Sequence, residues 1–234
     1  MLLTAEINTE EWSSGAMSTE SKKLVDDAII IVVDMIRDFL EPGKEWVIDA
    51  GRDMYPKTKE LLEFARANKV PIAYSASHFS GGDHGGGDDR LDDYWHQTRN
   101  SCIPGTPGIE VVDTLRPEAF SEYEVYIQKW KYSSFYASKL DVVLSNPPFR
   151  GRDTIIVTGM ATNFCCLTTT IDAFNRDYKV IFVDDLNCTF DGIDGTPAET
   201  MHRVTVETLK QGFAEVIDAE TLMGRLRTDV AISG

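Results

Sequence analysis

One cysteine stands just beyond an apolar run: Thr154-Ile155-Ile156-Val157-Thr158-Gly159 leads through Met160-Ala161 to Thr162-Asn163-Phe164-Cys165. The pattern predicts a strand, a tight turn and a helix that begins at the thiol. The first backbone N–H groups of a helix lack intrahelical acceptors, so they favour thiolate over thiol and can hold a developing oxyanion. That is a nucleophile's position. Cysteine is also a common core filler, the role assigned to adjacent Cys166, so the thiol needs partners that move protons. Two other run ends provide them. Asp34 follows the apolar residues 28–33, and Lys129 follows the third β-branched run within Gln128-Lys129-Trp130-Lys131-Tyr132-Ser133-Ser134-Phe135. An Asp at a strand-to-helix junction is equally a helix cap, and a lone Lys is equally a solvated surface charge.

The elements that must position these groups are legible from periodicity. Short β-branched runs at 28–34, 70–75, 124–128, 154–159, 179–183 and 214–217 alternate with helical patterns. Among the helices are 52–68, with Leu61, Leu62 and Ala65 on one face, and 196–211, with Met201, Val204 and Leu209. This alternation predicts a single three-layer α/β/α domain on a six-stranded, mostly parallel Rossmann-like sheet. The unbroken run Ile29-Ile30-Ile31-Val32-Val33 marks a central strand buried on both faces. With the common strand order 3-2-1-4-5-6, strands one and four are neighbours, and Asp34 faces Cys165 across the carboxyl edge where such sheets bind ligands.

Composition narrows the partners. A net charge of −15 argues against nucleic acid and anionic membranes, both of which need clustered Lys and Arg. Cysteines 102, 165, 166 and 188 have no C-x-x-C spacing, so a reducing cytoplasm is the expected location. No apolar run approaches the ~20 residues that span a bilayer. Residues 1–26 read as a polar N-terminal arm and 27–234 as the domain. Residues 80–93, rich in Gly and Asp, read as a long functional loop; they lack the spacing of a phosphate-binding loop.

Three segments together resemble the isochorismatase-like cysteine hydrolases. They are Val32-Val33-Asp34-Met35 with Asp38-Phe39, then Lys129-x-x-Tyr132-Ser133-x-Phe135, then Gly159-Met160-Ala161-Thr162-Asn163-Phe164-Cys165. Gly105-Thr106-Pro107-Gly108 is similar to the segment before the family's third strand, and the likeness runs over about residues 27–220. The resemblance implies a catalytic triad of Asp34, Lys129 and Cys165, and a cis peptide between Met160 and Ala161. It further implies an oxyanion hole made by the backbone N–H groups of Ala161 and Cys165. In that triad Asp34 accepts the thiol proton, while Lys129 and the helix terminus are expected to draw the Cys165 pKa below the ordinary ~8.5.

The D-x-H pair that nicotinamidases of this superfamily use for a metal is absent; Ser75-Ala76-Ser77-His78-Phe79 stands there, with Asp83 and His84 adjacent further on. The expectation is therefore no metal and no cofactor. Tyr132, Ser133, Phe135 and Asn163 look closer to the ureidoacrylate, biuret and N-carbamoylsarcosine amidohydrolases. A small linear amide or ureide is the expected substrate, cleaved at a C–N bond with release of ammonia or a small amine. Phe39, His78, Tyr132 and Asn163 are the expected substrate contacts, with Trp130 a further aromatic at that edge. Isochorismate- or nicotinamide-type hydrolysis and a catalytically idle binding protein on the same fold are the alternatives. Relatives of this fold imply a homo-oligomer, dimer or tetramer.

Overall fold

The computed structural model describes residues 22–78 and 101–232. The glycine-rich segment 80–93, Asp83, His84 and most of the expected arm lie outside the described residues. Six strands form one sheet in the order β3-β2-β1-β4-β5-β6. They are β1 (Ala28–Val33), β2 (Ile72–Ser77), β3 (Glu124–Lys129), β4 (Thr154–Met160), β5 (Lys179–Cys188) and β6 (Glu215–Ile217). Every neighbouring pair is parallel, so the expected order holds and the pairing is wholly rather than mostly parallel.

β1 shows why its sequence does not alternate. All six residues are buried, and successive side chains feed opposite cores. Ile30 and Val32 pack with Leu61, Leu62 and Ala65 of α4 (Tyr55–Ala67) and with Leu222, Met223 and Leu226 of α8 (Ala219–Ala231). Ile29, Ile31 and Val33 pack on the other face with Leu140 and Leu144 of α5 (Leu140–Leu144), Ala173 of α6 (Leu167–Phe174), and Val206 and Leu209 of α7 (Ala198–Gly212). Each such side chain contributes about 1.5–3 kcal/mol when fully buried. Three short helices complete the described α-helices: α1 (Leu24–Asp27), α2 (Arg37–Leu40) and α3 (Ala50–Asp53).

Two readings change. The inward face of α7 is Thr205, Val206 and Leu209; Val204 is 55% exposed, because the stripe follows the i, i+4 step from 205 to 209. Residues 22–26, expected in the arm, are packed. Val25 is buried, and Lys22 donates to the Gly151 carbonyl at 2.6 Å. Beside them Asp27 accepts from Thr154 Oγ1 at 2.8 Å and from the Asp153 backbone at 3.0 Å, which pins the start of β1 to β4.

Gly159 marks the closest approach of those two central strands. It pairs with Val33 at φ 120°, and a methyl group there would be driven into the Val33 backbone, including its carbonyl oxygen. Gly159→Ala is expected to destabilise the fold by at least about 2 kcal/mol, combining backbone strain and overpacking. A Gly195→Ala control, with strained φ but open space around it, separates the two terms in urea unfolding.

Candidate active site

In-register parallel strands bring their carboxyl ends together: Val33 pairs with both Ser75 and Gly159, and Ser77 pairs with Lys129. The chain leaves β1 through Asp34, a left-handed residue with φ 53°, a conformation that Asp tolerates better than most. Its backbone N–H donates to the Ser75 carbonyl at 2.7 Å, and its Oδ1 accepts from the Ser77 backbone N–H at 2.6 Å. Its Oδ2 lies 2.8 Å from Lys129 Nζ. The carboxylate therefore faces the neighbouring strands, and the cap reading of Asp34 fails.

Lys129 is fully buried at the last position of β3, far from the solvated surface that a lone lysine ordinarily occupies. Its ammonium donates to Ser77 Oγ at 2.6 Å, to Cys165 Sγ at 3.2 Å and to the Lys131 carbonyl at 3.3 Å. Burial alone lowers a lysine, but the Asp34 carboxylate and then Cys165 outweigh it, and the ammonium is held above its ordinary range.

The thiol departs from expectation in two ways. β4 runs on to Met160, a cis peptide joins Met160 to Ala161, and residues Thr162–Cys166 form a π-helical turn before α6 begins at Leu167. Cys165 thus sits in that turn, where Phe164 and Cys166 both donate to the Ala161 carbonyl. Its pKa also moves the opposite way. Burial pushes the thiol up to about 12, the Asp34 carboxylate adds to the rise, and Lys129 only partly opposes it. The physical reason is charge count: Asp34 and Lys129 already neutralise each other, so losing the thiol proton to solvent would strand a second anion in a dry site. Moving that proton to Asp34 leaves the cluster neutral.

The expected substrate contacts divide. Tyr132 and Phe164 are half-buried with ring centroids 5.3 Å apart; Phe164 stacks on Phe190 at 5.4 Å, and Phe190 meets Trp46 at 6.1 Å. Phe39, also half-buried, packs against the core. Asn163 has its amide oxygen occupied by the Thr189 hydroxyl. His78 is fully buried, and its backbone N–H extends the β2–β3 ladder to the Lys129 carbonyl. Tyr126 donates to the Ile109 carbonyl at 2.6 Å, so His78 Nε2, 2.9 Å from the Tyr126 oxygen, carries the ring proton. Burial lowers the His78 pKa against the opposing Asp34 carboxylate, with Lys129 a smaller lowering influence, and among the described residues Nδ1 is a buried acceptor without a hydrogen-bond partner. Its ring meets Trp130 edge-on at 6.1 Å. Ser77, which contacts both Asp34 and Lys129, went unnoticed in the sequence; a small polar residue at a strand end was its only signal. Among the described residues no group of three or more His, Cys, Asp or Glu is placed to hold a metal, and no helix is long and apolar enough to cross a membrane.

Two outcomes follow from this electrostatics. Lys129→Ala leaves Asp34 buried and unpaired and is expected to cost about 3–5 kcal/mol in urea unfolding, most of it regained in the Asp34→Leu/Lys129→Met double variant. The four buried thiols are all raised, Cys165 and Cys188 to about 12. Unfolded thiols ionise near ~8.5. Above that pH the unfolded chain releases protons that the folded chain retains, so stability is complete below it and falls as pH rises toward about 12. The urea midpoint should be lower at pH 10.5 than at pH 8.

Comparison with known proteins agrees with this architecture. The family model described as Isochorismatase domain matches residues 28–221. A cysteine hydrolase from Pseudomonas syringae pv. phaseolicola 1448A has a solved structure that is 31% identical, with a TM-score of 0.77 over 88% of this chain and 94% of its own. Nicotinamidase 3 of Arabidopsis thaliana is 27% identical over 83% of this chain and 86% of its own length. N-carbamoylsarcosine amidase from Thermoplasma acidophilum, 23% identical with a TM-score of 0.62 over 82% of this chain and 96% of its own, shares the fold. With an α/β fold in the order 3-2-1-4-5-6 and a family match across the whole sheet, the chain belongs to the isochorismatase family of hydrolases.

Proposed function

We propose that this hydrolase is a cysteine amidohydrolase that cleaves a C–N bond of a small linear amide or ureide through a thioester. One observation carries the reading: a buried lysine ammonium stands 2.8 Å from a carboxylate and 3.2 Å from a cysteine sulfur at the ligand-binding edge of the sheet. As substrate arrives, the Cys165 proton passes to Asp34 while sulfur attacks the carbonyl carbon. Lys129, losing a carboxylate partner and gaining a thiolate, compensates the change in place. The backbone N–H groups of Ala161 and Cys165 receive the oxyanion. Protonated Asp34 then hands its proton to the departing nitrogen as the C–N bond breaks, leaving a thioester and a neutral amine or ammonia. Asp34, again a carboxylate, takes a proton from water as it attacks the thioester and returns that proton to the sulfur as it leaves, restoring thiol and carboxylate.

The substrate class rests on Tyr132, Ser133, Phe135 and the Asn in place 163, and on the half-buried aromatic pair Tyr132 and Phe164, the latter next to Cys165 in the chain. Tyr132 and Phe39 are the proposed contacts with the flat amide. His78 Nδ1, a buried lone pair in search of a donor, suits a substrate N–H. Ammonia or amine release from biuret, N-carbamoyl amino acids, ureidoacrylate and nicotinamide tests the reading. Cys165→Ala and Asp34→Asn should each lower kcat at least about a thousandfold on the accepted compound. Turnover that survives Cys165→Ala would sink the thioester route.

A further inference from the structure

A second hydrogen-bonded chain ends on the turn that carries the cysteine. Thr162 Oγ1 lies 2.8 Å from His202 Nδ1, and His202 Nε2 lies 2.9 Å from Asp184 Oδ1. A carboxylate only accepts, so Nε2 carries the ring proton and donates to Asp184. Nδ1 is left to face the Thr162 hydroxyl, which can serve as its hydrogen-bond partner. The order resembles that of a nucleophilic triad, but Thr162 is completely buried and its hydroxyl is turned to His202 on α7.

The sheet is bent to make this chain. β5 pairs regularly with β4 as far as Val157 with Phe182, and pairing resumes at Gly159 with Asn187, five positions along β5 against two along β4. The surplus residues include Asp184 and form a bulge, a feature that forfeits ladder hydrogen bonds and re-aims side chains near active sites. Asn187 stitches it closed, donating to the Val157 carbonyl at 3.1 Å and the Val183 carbonyl at 2.6 Å. The bulge brings a β5 carboxylate to a histidine on α7, and both to the first residue of the π-helical turn.

We propose that Asp184 and His202 are positioning residues for the hydrolysis: through the Thr162 hydroxyl they fix the backbone from Ala161 to Cys165. The inference rests on the oxyanion role given to those N–H groups above. Threonine suits the task because its branched Cβ ties side-chain rotamer to backbone conformation. Polarised hydrogen bonds in series reinforce one another, so the Asp184 carboxylate strengthens the hold on Thr162 from two bonds away. On the same turn, Asn163 is anchored separately to Thr189. The oxyanion exists only once sulfur has attacked, so loosening the turn raises the barrier without weakening substrate binding.

The test is steady-state kinetics on whichever of biuret, N-carbamoylsarcosine, ureidoacrylate and nicotinamide the wild type turns over fastest, with the Tm of each variant. His202→Ala and Thr162→Val should each lower kcat about tenfold to a hundredfold with KM within about twofold, in line with the cost of a misplaced oxyanion donor. Thr162→Ser, which keeps the hydroxyl, should regain most of the loss. The His202→Ala/Thr162→Val double variant should be no worse than the poorer single, because both remove one connection. Wild-type kcat in both single variants, fully additive losses, or losses that track a lowered Tm and are not rescued by serine would each overturn the inference while leaving the hydrolase intact. A wild type that turns over none of the four compounds overturns the amidohydrolase reading and this inference with it.

Discussion

Neutrality of a buried charge cluster is the constraint on which the rest of the site depends. Lys129 has no contact with solvent, and Asp34 has almost none. Removing either ion from water costs several kcal/mol, recovered only when partners surround it completely. The fold meets that demand with Ser77, whose hydroxyl and backbone N–H serve lysine and aspartate respectively, and with the Lys131 carbonyl. The thiol is the third member and the only neutral one, so the cluster has no spare charge. In the proposed mechanism its chemistry is the movement of one proton inside a neutral set, which avoids a large change in solvation at the moment of reaction.

Parallel register converts this electrostatic demand into geometry. Four strand ends are aligned because β1 pairs with both β2 and β4 and β2 pairs with β3, each without a slip. A one-residue slip in β3 would turn Lys129 to the opposite face of the sheet. Gly159 lets the two central strands close at their tips, and the left-handed residue at Asp34 aims the carboxylate sideways instead of along the strand. On the other flank regularity is abandoned. The β5 bulge sacrifices ladder bonds beside the cysteine turn, and its carboxylate lies against α7. Regular pairing serves Asp34 and Lys129, and irregular pairing serves the turn that holds Cys165.

Much of the scaffold was legible beforehand. The continuous apolar run of β1, the Leu61, Leu62 and Ala65 face of α4, and the strand ends carrying Asp34 and Lys129 are local patterns, and they reappear where periodicity placed them. Val204 was misassigned because α7 carries too few large apolar residues for its stripe to be unique; threonine at 205 takes the inward place. The helix expected to begin at the thiol is delayed to Leu167 by a π-helical turn that no propensity marks. The hydrogen bond that occupies the Asn163 amide oxygen was not legible locally, because its donor, Thr189, is 26 residues away on the chain.

By itself the sequence determined which reactive groups exist and at which strand ends they lie, since alternation and chain order are encoded within a few residues. The tertiary structure decided their state. Whether Cys165 rests as thiol or thiolate is a contest between burial and Asp34 on one side and Lys129 on the other, and burial with Asp34 prevails. Its sign depends on distances of a few ångströms between residues brought together from three strands. The same holds for Ser77, for the tautomer of His78 and for the link from Asp184 through His202 to Thr162. Coulombic and hydrogen-bond energies depend on separation and dielectric, and neither quantity exists for these residues until the sheet has closed around them.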